Sequence, residues 1–447
     1  MIFWVLACET AALDMTAVNR TLRSHSLREA PMRWTGETGE GVGGAFAGGD
    51  VDGDGVADLV VGAHGPSGGA YVLLGPLTDG TPRDADISIS AVPGWQVGSS
   101  VAFVGDLDGE GRADIAVGVP AVGGGDAWVF AAPIPGALGR SDAFSIFSGV
   151  VASQAGVRIG PAGDQDGDGR DDWLVGAWLD PTGGAQGGAI YILRGEAGTL
   201  TVDDAIASRF GATTEWAGYG ASCAGDVDGD GIFDIVVGAD GNDLAGEDAG
   251  AAYVERGPIL GTAPLGGALL TGEKAGNFAG HGAIIAGDLF GTGRDTVVVG
   301  GFGAGAERRD GAAYVYSDLP ESGLLAEADV RISGQPRDSL FGYALSSPGD
   351  VDGDGFGELI ITARFDNGGG TEAGAAWLVY GPPAESLDLD SDAAVFLGES
   401  AHDDAGYAAG TIGDVDDDGR ADLVFGAMAN DAGGENAGAV YVWPGGL

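Results

Sequence analysis

The chain is poor in positive charge and in cysteine. Lysine and arginine together number 20 of 447 residues, against 67 aspartates and glutamates, so the formal net charge is −47. Because a nucleic-acid-binding protein needs a basic surface that displaces counterions, this composition excludes that class, and it disfavours an anionic membrane surface as well. The two cysteines, Cys8 and Cys223, are too few for a disulfide framework to hold the fold together.

Long apolar segments are missing too. No run approaches the roughly 20 residues that a membrane-spanning helix needs, so the sequence predicts no transmembrane segment. The first eight residues are apolar and end in Val-Leu-Ala-Cys, which resembles the end of a bacterial lipoprotein signal but is short and lacks a basic start. Two interpretations of residues 1–30 stay open: an unstructured tail, or the remnant of a signal segment with Cys8 as a lipid anchor.

A nine-residue segment recurs seven times along the chain. Its first copy reads Asp50-Val-Asp-Gly-Asp-Gly-Val-Ala-Asp58, and further copies begin at Asp106, Asp164, Asp226, Asp288, Asp350 and Asp414. A glycine stands eight residues before the first aspartate in every unit except the first, where that position is Val42. Seven units of about 60 residues therefore fill residues 31–447 as a single repetitive domain.

Each unit has the pattern of four short strands. Small residues precede the Asp-rich loop, and a β-branched run such as Ile235-Val-Val-Gly238 follows it. The third run carries one aromatic residue per unit, which we expect in the core: Tyr71, Trp128, Tyr191, Tyr253, Tyr314, Trp377 and Tyr441. No segment has a helical period, so the fold class is all-β. Four-stranded units that cannot bury both faces alone pack radially, which predicts a seven-bladed β-propeller with the small first strands innermost.

The two ends of the sequence predict how the ring closes. The seventh unit ends in its third strand, Ala439-Val-Tyr-Val-Trp443, without a fourth strand after it. The segment Met32-Arg-Trp-Thr-Gly-Glu37, which precedes the first Asp loop, matches fourth-strand segments such as Val395-Phe-Leu-Gly-Glu-Ser400. We therefore expect the N-terminal strand to complete the last blade, so that no sheet edge is left open.

The recurring loops predict metal sites. Carboxylates stand at positions 1, 3, 5 and 9, and the glycines at positions 4 and 6 permit a tight turn. Position 7 varies in side chain, which fits a ligand that acts through its backbone carbonyl. Hard oxygen ligands in this number suit Ca²⁺. An EF-hand would need a glutamate at position 12, where the first unit has Val61, and metal-free Asp-Gly turns would leave four carboxylates repelling one another.

We predict six calcium sites, with none in the fifth unit. Its loop, Asp288-Leu-Phe-Gly-Thr-Gly-Arg-Asp-Thr296, keeps the glycines but lacks carboxylates at positions 3, 5 and 9. The candidate ligands in the other six loops are Asp50, Asp52, Asp54, Val56 and Asp58; Asp106, Asp108, Glu110, Arg112 and Asp114; Asp164, Asp166, Asp168, Arg170 and Asp172; Asp226, Asp228, Asp230, Ile232 and Asp234; Asp350, Asp352, Asp354, Phe356 and Glu358; and Asp414, Asp416, Asp418, Arg420 and Asp422.

These features resemble a known family. The Asp loop, the Val-Gly-Ala that follows it and the Gly-Ala-x-Tyr strand are similar to FG-GAP repeats, the units of the seven-bladed propeller of integrin alpha subunits and of many bacterial surface proteins. The resemblance covers residues 31–447, although among the repeat glycines eight residues before the Asp loops only Gly342 keeps the Phe-Gly pair, with Phe341. It implies calcium in hairpin loops on one face of the propeller and ligand binding on the opposite face.

No enzyme motif stands out. The four histidines, His25, His64, His281 and His402, fall at unrelated points of the repeat and accompany no serine or cysteine nucleophile motif, so we expect solvated loop residues. Cys223 is expected to be a small buried thiol. The loops opposite the calcium loops collect aromatic and arginine side chains, which suit either a recognition surface or loop packing: Trp95, Trp178, Trp216, Arg308, Arg309 and Arg337.

The sequence thus favours a non-catalytic adhesion or recognition module for a protein or glycan, acting as a monomer. Sites built from several carboxylates fill at the millimolar calcium found outside cells, so we expect a secreted or cell-surface protein, with or without a lipid anchor. The alternative is a propeller enzyme, a hydrolase or lyase, with its site on the face opposite the calcium loops. A purely structural spacer is the third interpretation.

Overall fold

The computed structural model describes residues 24–445, apart from 133, 135, 306–309, 336–338, 386 and 416–418. Residues 1–23, with Cys8, lie outside the described residues, as do Arg308, Arg309 and Arg337. The described strands form seven sheets. Each sheet is one blade, and the predicted all-β, seven-bladed propeller is confirmed.

The strands of the first half of the chain are β1 (Ser24–Ser26), β2 (Met32–Thr35), β3 (Val42–Gly49), β4 (Asp58–Ala63), β5 (Gly69–Leu73), β6 (Ile87–Ile89), β7 (Val101–Phe103), β8 (Ile115–Val119), β9 (Asp126–Phe130), β10 (Ala137–Leu138), β11 (Ser145–Ser148), β12 (Arg158–Gly163), β13 (Asp172–Ala177), β14 (Ala189–Arg194), β15 (Gly198–Thr201), β16 (Ala207–Phe210) and β17 (Ala221–Gly225).

Those of the second half are β18 (Asp234–Ala239), β19 (Ala251–Glu255), β20 (Gly261–Pro264), β21 (Ala268–Thr271), β22 (Ala279–Ala286), β23 (Thr296–Gly301), β24 (Ala312–Tyr316), β25 (Ser322–Leu324), β26 (Val330–Ser333), β27 (Leu345–Gly349), β28 (Glu358–Ala363), β29 (Ala375–Val379), β30 (Ala393–Leu397), β31 (Ala405–Thr411), β32 (Leu423–Ala427) and β33 (Ala439–Trp443). Short 3-10 helices span Leu27–Glu29, Pro82–Asp84, Arg140–Asp142, Val202–Asp204 and Leu325–Glu327, and one α-helix spans Leu389–Asp392. Within the described part of the chain, no helix is long and apolar enough to cross a membrane.

The first strand of each blade lies nearest the axis. The strands β3, β7, β12, β17, β22, β27 and β31 contact one another in succession, and β31 returns to β3, so they form a closed inner ring. The second strand of each blade, such as β18, is fully buried along its length because neighbouring blades cover both of its faces. This position explains why the second strands are continuously apolar rather than alternating.

Paired glycines set the close approach of neighbouring blades. A Cβ atom on Gly118 would lie 2.0 Å from the carbonyl oxygen of Gly156 in the next blade, and Gly156 itself has φ +85°. In the first unit Val42 stands at the position of this glycine, and the next residue takes its structural role. Gly43 has φ +89°, and its carbonyl oxygen lies 2.0 Å from the Cβ that Gly426 would carry, so Gly43 fills the role one residue later.

The N-terminal strand closes the ring, as predicted. Strand β2 pairs antiparallel with β33 and is the outermost strand of the four-stranded blade 7, whose order is β2-β33-β32-β31. Trp34 is buried there, and its indole Nε1 donates to the carbonyl oxygen of Thr78, 2.8 Å away, in blade 1. Strand β1 already pairs with β30 of blade 6, so ordered structure within the described part of the chain begins before residue 31.

Five of the sheets have a fifth strand that the sequence analysis does not predict. In each case a short segment pairs in parallel with the outer strand of the preceding blade: β10 with β6, β15 with β11, β20 with β16, β25 with β21, and β1 with β30. Trp34 and Gly80 form a single bridge of the same kind between blades 7 and 1. These segments cover outer sheet edges that would otherwise present unpaired backbone groups.

The core lies between the blades. Of the seven third-strand aromatic residues, Trp128, Tyr191, Tyr314, Trp377 and Tyr441 are buried, and Tyr71 and Tyr253 are half-buried. Three tyrosine hydroxyls of this set donate to carboxylates: Tyr71 to Glu40, Tyr191 to Asp180 and Tyr253 to Glu215. The predicted core role is therefore confirmed. Cys223 is buried with a free thiol, and burial raises the pKa of that thiol.

Candidate metal loops and the axial cavity

The carboxylate at position 1 organises each Asp loop. Asp50 Oδ1 accepts from the amide of Gly53 at 2.6 Å, and Asp50 Oδ2 accepts from the amide of Gly55 at 2.9 Å. Both glycines have positive φ, +79° and +90°, so the turn needs residues without a side chain at these two positions. The same two contacts recur at Asp106, Asp164, Asp226 and Asp350.

The carboxylate at position 9 is buried and ties the loop to the end of the third strand. Asp58 Oδ2 accepts from the amide of Val51 at 2.7 Å, and Asp58 Oδ1 accepts from the amide of Gly75 at 2.9 Å. Burial, reinforced by the neighbouring carboxylates of the same loop, raises the pKa of Asp114 to about 6 and those of Asp172 and Glu358 to about 7. Each such group carries its negative charge at a cost that a bound cation would offset.

Five of the loops bring three or four carboxylate groups together, with one oxygen of each lying within 4.8 Å of the others. Positions 1, 3 and 9 meet in the first three units, positions 1, 3 and 5 in the fourth, and positions 1, 3, 5 and 9 in the sixth. The groups are Asp50, Asp52 and Asp58; Asp106, Asp108 and Asp114; Asp164, Asp166 and Asp172; Asp226, Asp228 and Asp230; and Asp350, Asp352, Asp354 and Glu358.

The remaining predicted ligands do not all join these groups. In the first and third loops the position-5 residues, Asp54 and Asp168, lie outside the groups, although each accepts from the position-7 amide as Asp230 does in the fourth loop. Glu110 and Asp234 lie outside the groups of their loops. In the seventh loop, Asp416 and Asp418 lie outside the described residues. The position-7 side chains have a contact of their own, since Arg112 and Arg170 each lie over the position-4 glycine of the preceding loop.

The geometry fits a hard divalent cation. Asp228 Oδ1 is buried and has no hydrogen-bond partner among the described residues. Arginines already lie against the third and fourth loops, where Arg194 pairs with Asp166 and Arg256 pairs with Asp228 at 3.4 Å. Converging carboxylate oxygens, one of them unpartnered, are the donor set that Ca²⁺ prefers. The assignment of each residue as a ligand stays a prediction.

The fifth loop is held together differently. Asp288 still accepts from the amides of Thr292 and Gly293, but position 9 is Thr296, whose hydroxyl accepts from the amide of Leu289 at 3.4 Å. A neutral hydroxyl thus stands where the other loops have a carboxylate. The turn is satisfied by its own hydrogen bonds, and the absence of calcium from this loop stays a prediction.

A cavity of about 450 Å³ lies on the propeller axis, lined mainly by the first strands. Because the Asp loops follow these strands, the residues that precede them or begin them lie towards the opposite face. The residue after each repeat glycine contributes to the lining, and we call this set the axial ring: Gly44, Ser99, Val157, Tyr219, His281, Tyr343 and Tyr407. Units four to seven therefore each supply a tyrosine or histidine side chain, and units one to three each supply a small or aliphatic residue.

The aromatic side of the axial ring is tightly interlocked. The His281 ring stacks on Tyr219 with centroids 4.5 Å apart, and its Nδ1 lies 2.8 Å from Asp240 Oδ2. The hydroxyls of Tyr219, Tyr343 and Tyr407 interact with one another, and burial is the main cause that raises the pKa of Tyr407 to about 12. The sequence contains a signal for this ring, an aromatic residue directly after four repeat glycines, which the sequence analysis overlooks.

The expectation that the histidines are solvated loop residues is wrong for three of them. His64 and His281 both line the axial cavity, and His25 stacks on Phe396 with ring centroids 5.1 Å apart. His402 is exposed, with Nδ1 3.0 Å from Glu372 Oε2. His64 has room in the cavity wall beside the axial ring because Gly44 has no side chain. A Cβ atom on Gly44 would lie 2.4 Å from the His64 imidazole.

The tryptophans predicted on the loop face divide between two environments. Trp178 lines the axial cavity, donates from Nε1 to Gln154 Oε1 at 2.7 Å and lies edge-on to Trp216, with centroids 6.5 Å apart. Trp95 instead packs on the buried Trp128. Loop packing and cavity lining therefore account for these side chains.

Comparisons with known proteins agree with this architecture. The FG-GAP repeat model matches residues 42–73, 219–254, 341–379 and 405–443, so the chain contains FG-GAP repeats. The chain is similar to phosphatidylinositol-glycan-specific phospholipase D of Rattus norvegicus, with 31% identity over 37% of this chain and 21% of the relative. It is also similar to integrin alpha-PS2 of Drosophila melanogaster, with 28% identity over 45% of this chain and 14% of the relative.

The chain matches about a fifth or less of the length of these two relatives. Among solved structures, the WD40 domain of Toxoplasma gondii coronin aligns with a TM-score of 0.50 and 10% identity, covering 94% of this chain and 89% of that one. At this identity the match shows the propeller fold alone.

Proposed function

We propose that this FG-GAP β-propeller binds calcium in its Asp loops and acts outside the cytoplasm as a non-catalytic recognition module for a protein or glycan partner. The observation that carries the proposal is the convergence of carboxylate oxygens within 4.8 Å in five loops that recur in phase with the repeat. Repetition argues against chance clustering of surface acids, because positions 1 and 3 meet in the same turn in all five loops, each time with position 5, position 9 or both. Similarity to integrin alpha chains supports the recognition role.

Calcium binding supports the proposed location. Loops of several carboxylates without flanking helices resemble the extracellular class of calcium sites, which fill at millimolar calcium and stay empty at cytosolic concentrations. The calcium sites of such a propeller would therefore be filled only outside the cytoplasm. Its affinity for calcium, measured by calorimetry, tests this step, and sub-micromolar dissociation constants for all sites would contradict it.

The face opposite the Asp loops is the proposed recognition surface. Two large apolar side chains are strongly exposed there, Val151 at 83% and Leu244 at 68%, in connections that enter or leave strands on that side. Exposed apolar residues on a rigid set of loops are suited to partner binding. We therefore expect Val151→Asp and Leu244→Asp to weaken partner binding without lowering the thermal midpoint.

A binding screen tests the proposal directly. The protein would be applied to glycan and protein arrays with calcium and with a chelator, beside the Val151→Asp and Leu244→Asp variants. Binding that requires calcium and is weakened by both variants supports the proposal. A partner bound equally well by both variants would move recognition away from this face, and the absence of any partner would favour a structural spacer.

An enzyme is the second candidate. The similarity to a phospholipase D and the presence of two histidines in one cavity favour it. Turnover of phosphodiester or glycosidic test substrates that is lost in both His64→Gln and His281→Gln would replace the recognition proposal. His402→Gln is the matched control, since His402 is exposed and pairs with Glu372 outside the cavity.

A further inference from the structure

We infer that the axial cavity is a binding site for a small organic oxyanion, whose carboxylate or tetrahedral oxyanion group pairs with Arg158. This site is separate from the Asp loops, and its lining includes neither Val151 nor Leu244 of the proposed recognition surface. It rests on three features of the described residues: an arginine that lines the cavity without an acidic partner, a cavity wall without carboxylates, and two buried imidazole nitrogens, of His64 and His281, without a hydrogen-bond partner.

Arg158 differs from most of the described arginines. Nine described arginines pair with a carboxylate: Arg28, Arg33, Arg83, Arg140, Arg194, Arg209, Arg256, Arg331 and Arg364. Arg158 lines the cavity and is exposed to the solvent in it, and no described carboxylate pairs with it. Its Nε donates to the carbonyl oxygen of Ala221 at 3.0 Å, and its terminal nitrogens have no partner among the described residues. No described carboxylate competes for this guanidinium, so its terminal nitrogens are available to an oxyanion in bidentate geometry.

The cavity wall suits an anion. Its lining includes one arginine, two histidines and three tyrosines but no aspartate or glutamate, in a chain with 67 acids. Nδ1 of His64 and Nε2 of His281 are buried and have no hydrogen-bond partner among the described residues. Tyr219, near Arg158, and Gln154 add further polar groups. The volume of about 450 Å³ lies in the range of pockets that hold small organic molecules.

A cationic ligand fits this cavity less well. The aromatic faces that could hold a cation already contact Arg364, whose guanidinium carbon lies 4.9 Å from the Tyr343 centroid and 5.0 Å from the Tyr407 centroid. Asp404 pairs with Arg364 and holds it there. A bound cation would be repelled by Arg158, and the described wall offers no free carboxylate to pair with it. An anion would instead be attracted by the positive charge of Arg158.

Calorimetric titration at saturating calcium tests the inference, with glucuronate and sulfate as probes and neutral glucose as the matched control. We expect the protein to bind at least one of the two anions and not glucose. Arg158→Gln is expected to weaken anion binding tenfold or more, and Arg158→Lys to weaken it less. Arg83→Gln, which changes an exposed arginine paired with Glu37, is expected to leave binding unchanged. Equal binding by Arg158→Gln, or no binding of either anion, would overturn the inference.

Thermal unfolding without the probes provides the second measurement. Because Arg158→Gln removes a charge that has no acidic partner among the described residues, its midpoint is expected to equal or exceed that of the unchanged protein. The anion that binds should raise the midpoint of the unchanged protein but not that of Arg158→Gln. A large drop in the midpoint of Arg158→Gln without any probe would show a structural role and contradict the inference.

Discussion

At the scale of single residues, carboxylates within one Asp loop differ in what they contact. Asp58 at position 9 is buried and accepts two backbone amides, so it holds the loop whether or not an ion is present. Asp52 at position 3 is exposed and accepts only from the amide of Asp54, at 3.1 Å. Calcium binding would therefore be a second role for Asp58, beside its hydrogen bonds to the loop, whereas it would be the main role of Asp52.

This difference predicts unlike effects of two isosteric changes. Asp58→Asn loses one of two buried acceptor contacts, so it should lower the free energy of unfolding by about 1–3 kcal/mol even in a chelator. Asp52→Asn keeps an acceptor for Asp54 and should be neutral in a chelator, yet reduce the stabilisation that calcium provides. Denaturant unfolding of both variants, with calcium and with chelator, measures this. Equal losses in a chelator would contradict the assignment.

His64 predicts a pH effect on stability. Burial lowers the pKa of His64, which lines a cavity wall with Tyr407 and Arg158 and without described carboxylates. A histidine with a depressed folded-state pKa stabilises the fold fully above its unfolded pKa near 6.5, and this contribution is lost as the pH falls through the folded value. Between pH 7 and pH 5 the unchanged protein should lose more stability than His64→Gln. Parallel stability curves would show that His64 does not titrate in this way.

The sequence predicts the Asp loops well because their geometry is local. Asp50 and Gly55 contact each other within one turn, so spacing alone reveals the turn. The axial cavity depends on residues that meet only after the ring has closed, such as Tyr219 and Tyr407, which are far apart in the chain. Arg158 could not be identified from the sequence, since its neighbours in the chain do not indicate that it lacks an acidic partner.

At the scale of elements, the four regular strands of each blade could be predicted and the added outer strands could not. The second and third strands bury their side chains, as in β18 and β24, so their apolar patterns are strong. Strands such as β15 (Gly198–Thr201) are mostly exposed and pair through backbone groups that any sequence possesses. Backbone pairing without side-chain burial leaves no periodic signal.

Strand β2 is the element whose loss should matter most. Removing residues 31–37 would unpair β33, remove the buried Trp34 and open the ring, whereas removing residues 1–20 would leave β1 and β2 intact. We expect the first deletion to lower the thermal midpoint strongly and the second to leave it nearly unchanged. Trp34→Ala provides a milder version, with an expected loss of about 3–5 kcal/mol. Equal midpoints for the two deletions would refute closure by β2.

At the scale of the whole molecule, the charge of −47 has two parts. The six predicted calcium loops hold four acids each, so 24 of the 67 acids belong to candidate metal sites. Six bound Ca²⁺ ions would add twelve positive charges and bring the formal charge to −35. The other acids keep the surface acidic, which favours solubility, while the described wall of the axial cavity excludes them.

Removal of calcium should destabilise the propeller as a whole. All the candidate loops lie on one face, and each connects the innermost strand of a blade to the second strand of the same blade. Burial, and to a smaller extent the neighbouring carboxylates, raises the pKa of Asp114, Asp172 and Glu358, so each of these groups is charged at a cost when no ion is present. Ions that bind only the folded state stabilise it by mass action, so the thermal midpoint should rise with calcium concentration and fall in a chelator. Native mass spectrometry should count about six ions per chain, and the change of Asp288 to Asn in the fifth loop should leave that count unaltered. One or two ions per chain, or an unchanged melting curve in chelator, would contradict six calcium sites and favour metal-free Asp-Gly turns.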